Sequence, residues 1–128
     1  MSPEPATVFI IDDDASIRTA LERLCRSAGL NGRSFASVDE FLAVEIDSPD
    51  ACVVSDICMP GSQGIVLPRL LRERGLDLPV IFITAYDTPE AREEAKHAGA
   101  AAYFRKPVDH QALLDTIAWA VQNPVTVT

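Results

Sequence analysis

Long hydrophobic runs are missing from this chain. None approaches the roughly 20 apolar residues of a membrane-spanning helix, so no membrane span is expected. Basic residues are scarce: eleven Lys and Arg stand against nineteen Asp and Glu, a net charge of −8. Phosphate contacts need clustered cations, so direct nucleic-acid binding by this stretch is not expected, and any DNA contact would need another domain or chain. Cysteine is sparse as well. Cys25, Cys52 and Cys58 are odd in number and lack CxxC spacing, which leaves neither a disulfide framework nor a zinc motif. They read as thiols in a reducing compartment. The two histidines, His97 and His110, have no metal-ligand spacing and no adjacent nucleophile, and read as surface residues. No internal repeat or low-complexity segment breaks the chain. Met1-Ser2-Pro3-Glu4-Pro5 carries no basic region and no long apolar segment, so a cytoplasmic location is expected.

What is present is a chain of 128 residues with a hydrophobic fraction of 48%, enough for one domain with one core. Its apolar residues come in short runs that end on polar groups. Val53-Val54-Ser55 ends on Asp56, with the turn residues Pro60, Gly61 and Gly64 close behind. Val8-Phe9-Ile10-Ile11 ends on Asp12, Asp13 and Asp14. Pro79-Val80-Ile81-Phe82-Ile83 ends on Thr84, and Ala101-Ala102-Tyr103-Phe104 ends, after Arg105, on Lys106-Pro107. Bounded runs of this kind read as buried strands. In open α/β sheets the carboxyl ends of the strands are where ligands bind. Four such strands lying parallel would bring several carboxylates, a hydroxyl and an ammonium to one rim.

Helices fill the intervals. Residues 1–6 read as a lead-in. Asp14 caps a first helix over about Ala15–Ala28, with a core stripe of Ile17, Leu21, Leu24 and Ala28 and a wet side that includes Arg18, Glu22, Arg23 and Arg26. The polar run Asn31–Phe35 predicts an edge strand. Ser37, with Glu40 three residues on, starts a brief second helix to about Val44, anchored by Phe41 and Leu42. A third helix is expected over about Gly64–Arg74. Pro68 conflicts with its middle, so the helix either starts later or bends there. Thr88, Pro89 and Glu90 start a fourth helix that Gly99 ends; its inward stripe is only Ala91, Ala95 and Ala98, which predicts a weakly held element. Asp109 caps a fifth, ending about Gln122, with Leu113 or Leu114, Ile117 and Val121 inward and Trp119 off that stripe. Residues 7–122 thus form the domain, and 123–128 read as a frayed tail. Five strands alternating with five helices predict an α/β fold, one parallel sheet covered on both faces.

The rim chemistry suits a divalent metal and phosphoryl transfer. Magnesium takes oxygen ligands, and adjacent acids repel one another unless a cation offsets them. Asp12, Asp13 and Asp56 are the expected ligands, and Asp14 is read as the cap. Asp56 is the candidate nucleophile toward phosphorus. Lys106 would pair with phosphoryl oxygens and Thr84 would donate to one of them.

Taken together these residues resemble the receiver domains of two-component response regulators (CheY-like), over about residues 6–122. FIIDDD resembles the family's acidic-pair strand, VVSDICMPGSQG its phosphoacceptor segment, ITA its switch threonine and YFRKP its aromatic switch and lysine. DDDASIRTALERLCRSAGL, SFASVDEFL and HAGAAAYFRKPVD are similar to the NarL/FixJ branch. The resemblance implies a single doubly wound (βα)5 flavodoxin-like domain with a parallel five-stranded sheet of order 2-1-3-4-5 and helices on both faces. It implies Asp56 as phosphoacceptor, Mg2+ held by Asp12, Asp13, Asp56 and the backbone carbonyl of Cys58, and a cis Lys106-Pro107 bond. Thr84 and Tyr103 would be the switch, and Cys58 and Tyr86 would tune the phosphoryl lifetime. A sensor histidine kinase would be the donor. Phosphorylation would change the face of helix four, strand five and helix five, read by a second copy in a homodimer or by a transcriptional output domain; Trp119 is a candidate for that face. The NarL/FixJ branch usually adds a C-terminal helix-turn-helix, which this chain stops short of, as either a single-domain regulator or a truncated one would.

Two other classes compete. Ile10-Ile11-Asp12-Asp13-Asp14 also resembles the start of haloacid-dehalogenase-like phosphatases, with Asp12 as nucleophile and Asp14 as acid/base. The chain is short for such an enzyme and shows no late strand-ending acidic pair. A receiver-like scaffold that is never phosphorylated is the third class; the complete Asp, Thr and Lys set argues against it.

Overall fold

A computed structural model describes residues 5–46, 50–59 and 62–122, with the backbone alone at 58, 59 and 62–64. The expected lead-in and tail lie largely outside the described residues, as do Pro60 and Gly61. Five strands, β1 Thr7–Ile11, β2 Asn31–Phe35, β3 Ala51–Asp56, β4 Val80–Thr84 and β5 Ala102–Arg105, form one parallel sheet in the order β2-β1-β3-β4-β5. The helices are α1 Ala15–Ser27, α2 Val38–Leu42, α3 Leu67–Glu73, α4 Pro89–Ala98 and α5 His110–Gln122. A two-residue antiparallel pair, Cys58–Met59 with Ser62–Gln63, follows β3. No helix among the described residues is long and apolar enough to cross a membrane.

The sheet divides the core in two because successive side chains of a strand point to opposite faces. Phe9, Ile11, Val53, Val80 and Phe82 face Val38 and Phe41 of α2, Leu67 and Leu71 of α3, and Ala95 of α4. Val8, Ile10, Cys52, Val54, Ile81 and Ile83 face Leu21 and Cys25 of α1 and Leu113, Ile117 and Ala120 of α5. β1, β3 and β4 are buried along their whole length, as their unbroken apolar runs require. β2 is the half-exposed edge predicted from its polarity.

Local chemistry adjusts several boundaries. The first helix ends at Ser27. Ala28 is its exposed C-cap, and Cys25, not Ala28, completes the buried stripe. Gly32 of β2 makes this possible: a Cβ there would meet Cys25 Cβ at 3.3 Å, so the missing side chain lets α1 sit close on the sheet. The second helix stops at Leu42; Val38 is buried beside Phe41, while Leu42 is only partly covered. For the third helix the later start holds. A short 3-10 turn, Gly64–Val66, precedes α3, so Pro68 falls in the first helical turn, where its missing N–H removes no helical bond.

Candidate functional site

Strand register builds the site. Ile11 lies opposite Ser55, so Asp12 and Asp56 leave β1 and β3 side by side. Asp56 lies opposite Ile83, which puts Thr84 one residue further on, and Thr84 lies opposite Arg105, the residue before Lys106. The strand order reverses between β1 and β3, the crevice where open α/β sheets bind ligands.

Lys106 reaches back over this crevice. Its Nζ donates to Asp12 Oδ2 at 2.9 Å and to Asp56 Oδ2 at 3.0 Å. Asp12 is completely buried and Asp56 is 6% exposed. Burial pulls the Lys106 ammonium down, but its hydrogen bonds to the two carboxylates outweigh that, and its pKa lies above the ordinary lysine value. The Lys106-Pro107 bond is cis. Asp13 is exposed, and Asp12, Asp13 and Asp56 each offer a carboxylate oxygen within 4.8 Å of the others. An all-oxygen set of three acids with one lysine in attendance fits a hard divalent cation such as Mg2+.

The neighbouring residues are accounted for individually. Asp14 is the N-cap of α1: its Oδ1 accepts from Ser16 N at 2.8 Å and from Ser16 Oγ at 2.6 Å, bonds that hold its carboxyl below the usual range. Thr84 is fully buried, and its Oγ1 accepts from the Tyr86 amide at 3.0 Å. Tyr86 itself is 72% exposed. Cys58 contributes backbone to the antiparallel pair after β3; its side chain, and with it the tuning role, lies outside the described residues. His97 and His110 are exposed, and His97 sits 3.4 Å from Glu93. Trp119 is 54% exposed on α5.

Two features escaped the sequence reading. By periodicity Arg18 belongs to the wet side of α1. It is instead half-buried, and its Nη1 donates to the backbone carbonyl of Asp12 at 2.7 Å. Its position four residues past the cap, one turn into the helix, was the available signal. The second feature is a cluster away from the acids. Arg92 of α4 grips Asp87 with both Nε and Nη2 at 2.7 Å, and its guanidinium lies 5.7 Å over the Tyr103 ring. Arg92 is the main cause that keeps the Asp87 carboxyl below its ordinary value, and the buried Tyr103 hydroxyl acts in the same direction. Asp87, Arg92 and Tyr103 thus join the loop after β4 to α4 and β5.

The phosphatase arrangement finds no footing in this geometry. Its acid/base, Asp14, is held as a helix cap, and its nucleophile, Asp12, is buried with both carboxylate oxygens bonded, Oδ1 to the Asp14 amide at 2.9 Å.

Comparison with known proteins gives one answer. The family model of the response regulator receiver domain matches residues 8–118. The transcriptional regulatory protein TdiR of Thauera aromatica is 39% identical over 112 residues, covering 88% of this chain and 49% of TdiR. The response regulator protein TodT of Pseudomonas putida is 37% identical over 123 residues, covering 95% of this chain and 54% of TodT. The chain therefore spans about half the length of these relatives. The crystal structure of FixJ-N superposes with a TM-score of 0.84 at 30% identity, covering 99% of this chain and 100% of FixJ-N. A crevice of strand-end carboxylates bridged by one lysine, in a sheet of this order, accords with that match along nearly the whole chain: this protein belongs to the response regulator receiver domain family of two-component systems.

Proposed function

We propose that Asp56 accepts a phosphoryl group from a sensor histidine kinase and that the modification changes the face formed by α4, β5 and α5. The observation that carries this is the Lys106 ammonium held against Asp56, with Asp12 and Asp13 converging on the same point. A carboxylate oxygen of Asp56 attacks the phosphorus of a phosphohistidine. The P–N bond breaks, the imidazole leaves with its electron pair, and an acyl phosphate forms on Asp56. Asp12, Asp13, Asp56 and the backbone carbonyl of Cys58 would hold Mg2+, which when bound supplies positive charge for the phosphoryl oxygens. Lys106 exchanges its bond to Asp56 for one to the phosphoryl group. Hydrolysis of the acyl phosphate returns the carboxylate and inorganic phosphate, at a rate tuned by Cys58 and Tyr86. An apolar groove of about 410 Å³, lined in part by Ile17, Leu21, Ile83, Pro107 and Val108, opens beside Lys106 and gives a donor protein a surface next to Asp56.

The switch begins at Thr84. Turning its hydroxyl toward the phosphoryl group breaks the bond it accepts from Tyr86 N and loosens the loop that carries Asp87. Arg92 and Tyr103 are tied to Asp87, so α4 and β5 feel the change. A second copy, or a transcriptional output domain as the names of the relatives suggest, reads that face, with exposed Trp119 on it. Incubation with Mg2+ and a small phosphodonor, followed by mass spectrometry, tests the reading. Label on Asp56 that is absent from Asp56→Asn is the expected result. Label on Asp12 would overturn it, as would no label with a competent donor and metal.

A further inference from the structure

The loop between β1 and α1 carries the three acids, yet their directions are set by different means. Asp12 is fixed by its own carboxylate, through Lys106 Nζ and the Asp14 amide. Asp14 is fixed by capping Ser16. Asp13 is exposed, so its aim depends on the peptide that carries it. The carbonyl of Asp12 and the amide of Asp13 are one planar unit. The guanidinium of Arg18 holds that unit from the carbonyl side, with Nη1 2.7 Å from Asp12 O. Arg18 is itself on α1, whose N-terminus is anchored by the Asp14 cap and whose Leu21 and Cys25 are buried. The clamp thus runs from the packed helix back to the loop.

We infer that Arg18 is a positioning residue for the metal site: by fixing the Asp12–Asp13 peptide it aims Asp13 at the point where Asp12 and Asp56 converge. This rests on the metal-binding reading of the site. The role has a signature in its sign. Arg18 is a cation close to a site that would bind a cation. If charge were all it contributed, removing it would tighten Mg2+ binding. If it positions the loop, removing it weakens Mg2+ binding in spite of the lost repulsion. Groups that orient ligands from behind typically change metal affinity by about 10- to 100-fold. The opposing charge effect puts the expectation at the lower end.

The test is a calorimetric titration of the 128-residue chain with Mg2+ alone, comparing wild type with Arg18→Ala, Arg18→Met and Arg18→Lys. Met keeps an unbranched apolar stem and removes the donor, so it serves if the Ala variant does not fold; circular dichroism checks each. The expected result is about tenfold weaker binding for Ala or Met, with a substantial recovery for Lys, which keeps the charge and one donor. Labelling of Asp56 by a small phosphodonor should then return to the wild-type rate at saturating Mg2+, because the variant loses metal affinity and not the acceptor. Binding by Ala or Met as tight as wild type, or tighter, overturns the inference and leaves the receiver reading standing. Wild-type protein that shows no saturable Mg2+ binding overturns both.

Discussion

Helices α4 and α5 lie on opposite faces of the same sheet, and they are held by different forces. α5 buries Leu113, Ile117 and Ala120 against β1, β3 and β4. α4 buries one alanine, Ala95. What α4 lacks in packing it has in local chemistry. Thr88 Oγ1 accepts from Ala91 N at 3.0 Å, Pro89 occupies the first helical position, and Gly99 at φ 94° closes the C-terminus. Caps of this kind keep a segment helical without fixing where it sits. One small sheet thus serves two needs. α5 fastens the sheet that carries the carboxylates, whereas α4, with Ala95 alone buried, is the element of its face that can be displaced at small cost. In the proposed switch, a displacement of α4 would start from Thr84, the strand end that precedes it.

Truncating the two contacts breaks this comparison most directly. Ile117→Ala removes a wholly buried side chain and should cost about 2–5 kcal/mol of global stability, read from the urea midpoint. Ala95→Gly, the corresponding weakening of α4, should cost only about 1 kcal/mol. Equal losses would mean that α4 is integral to the core and that the asymmetry is false.

A smaller effect sharpens the same contrast from inside the α1/α5 side. Cys25 and Cys52 are buried there, and burial pushes their thiols up to about 11 and about 12. In the unfolded chain the ordinary value is 9.0. A raised pKa means the folded state holds its proton longer. The stability tied to these thiols is therefore complete below pH 9 and is lost as pH climbs toward 11 and 12. Urea midpoints measured across that range should fall for the wild type and fall less for Cys52→Ala. At pH 8 both thiols should resist a thiol reagent until the domain unfolds, with mass spectrometry identifying the cysteine modified. Rapid modification of Cys25 would show that α1 opens as readily as α4.

The sequence makes much of this legible, and the limits have physical causes. Unbroken apolar runs placed β1, β3 and β4, and polar composition marked β2 as the edge. Asp14, Ser37, Thr88 and Asp109 were readable as caps because a short polar side chain acts on amides two or three residues away. Asp12, Asp56, Thr84 and Lys106 were readable as a set because each ends an apolar run. Helical periodicity misplaced Arg18 and Ala28, because it says which face a residue occupies and not what the neighbouring strand leaves room for. Gly32 decided the second case and a backbone carbonyl the first. The grip of Arg92 on Asp87 reaches five residues back to a loop side chain outside the helix, and its stacking on Tyr103 crosses to another element, so helical periodicity encodes neither.

That grip gives the smallest expected effect and the most specific one. Arg92 is exposed and holds Asp87 across the start of α4, so Arg92→Met should leave the urea midpoint unchanged within scatter. The change should instead be local. Amide exchange in the first turn of α4 should rise, and the ring resonances of Tyr103 should shift as the guanidinium leaves its face. Acid should produce the same opening only below the ordinary aspartate value. The Asp87 carboxyl is depressed, so what it contributes is present above that value and is lost as pH falls through the lower one. If Arg92→Met leaves α4 exchange as slow as before, the caps alone keep its first turn closed. The proposed path from Thr84 would then have to run through β5.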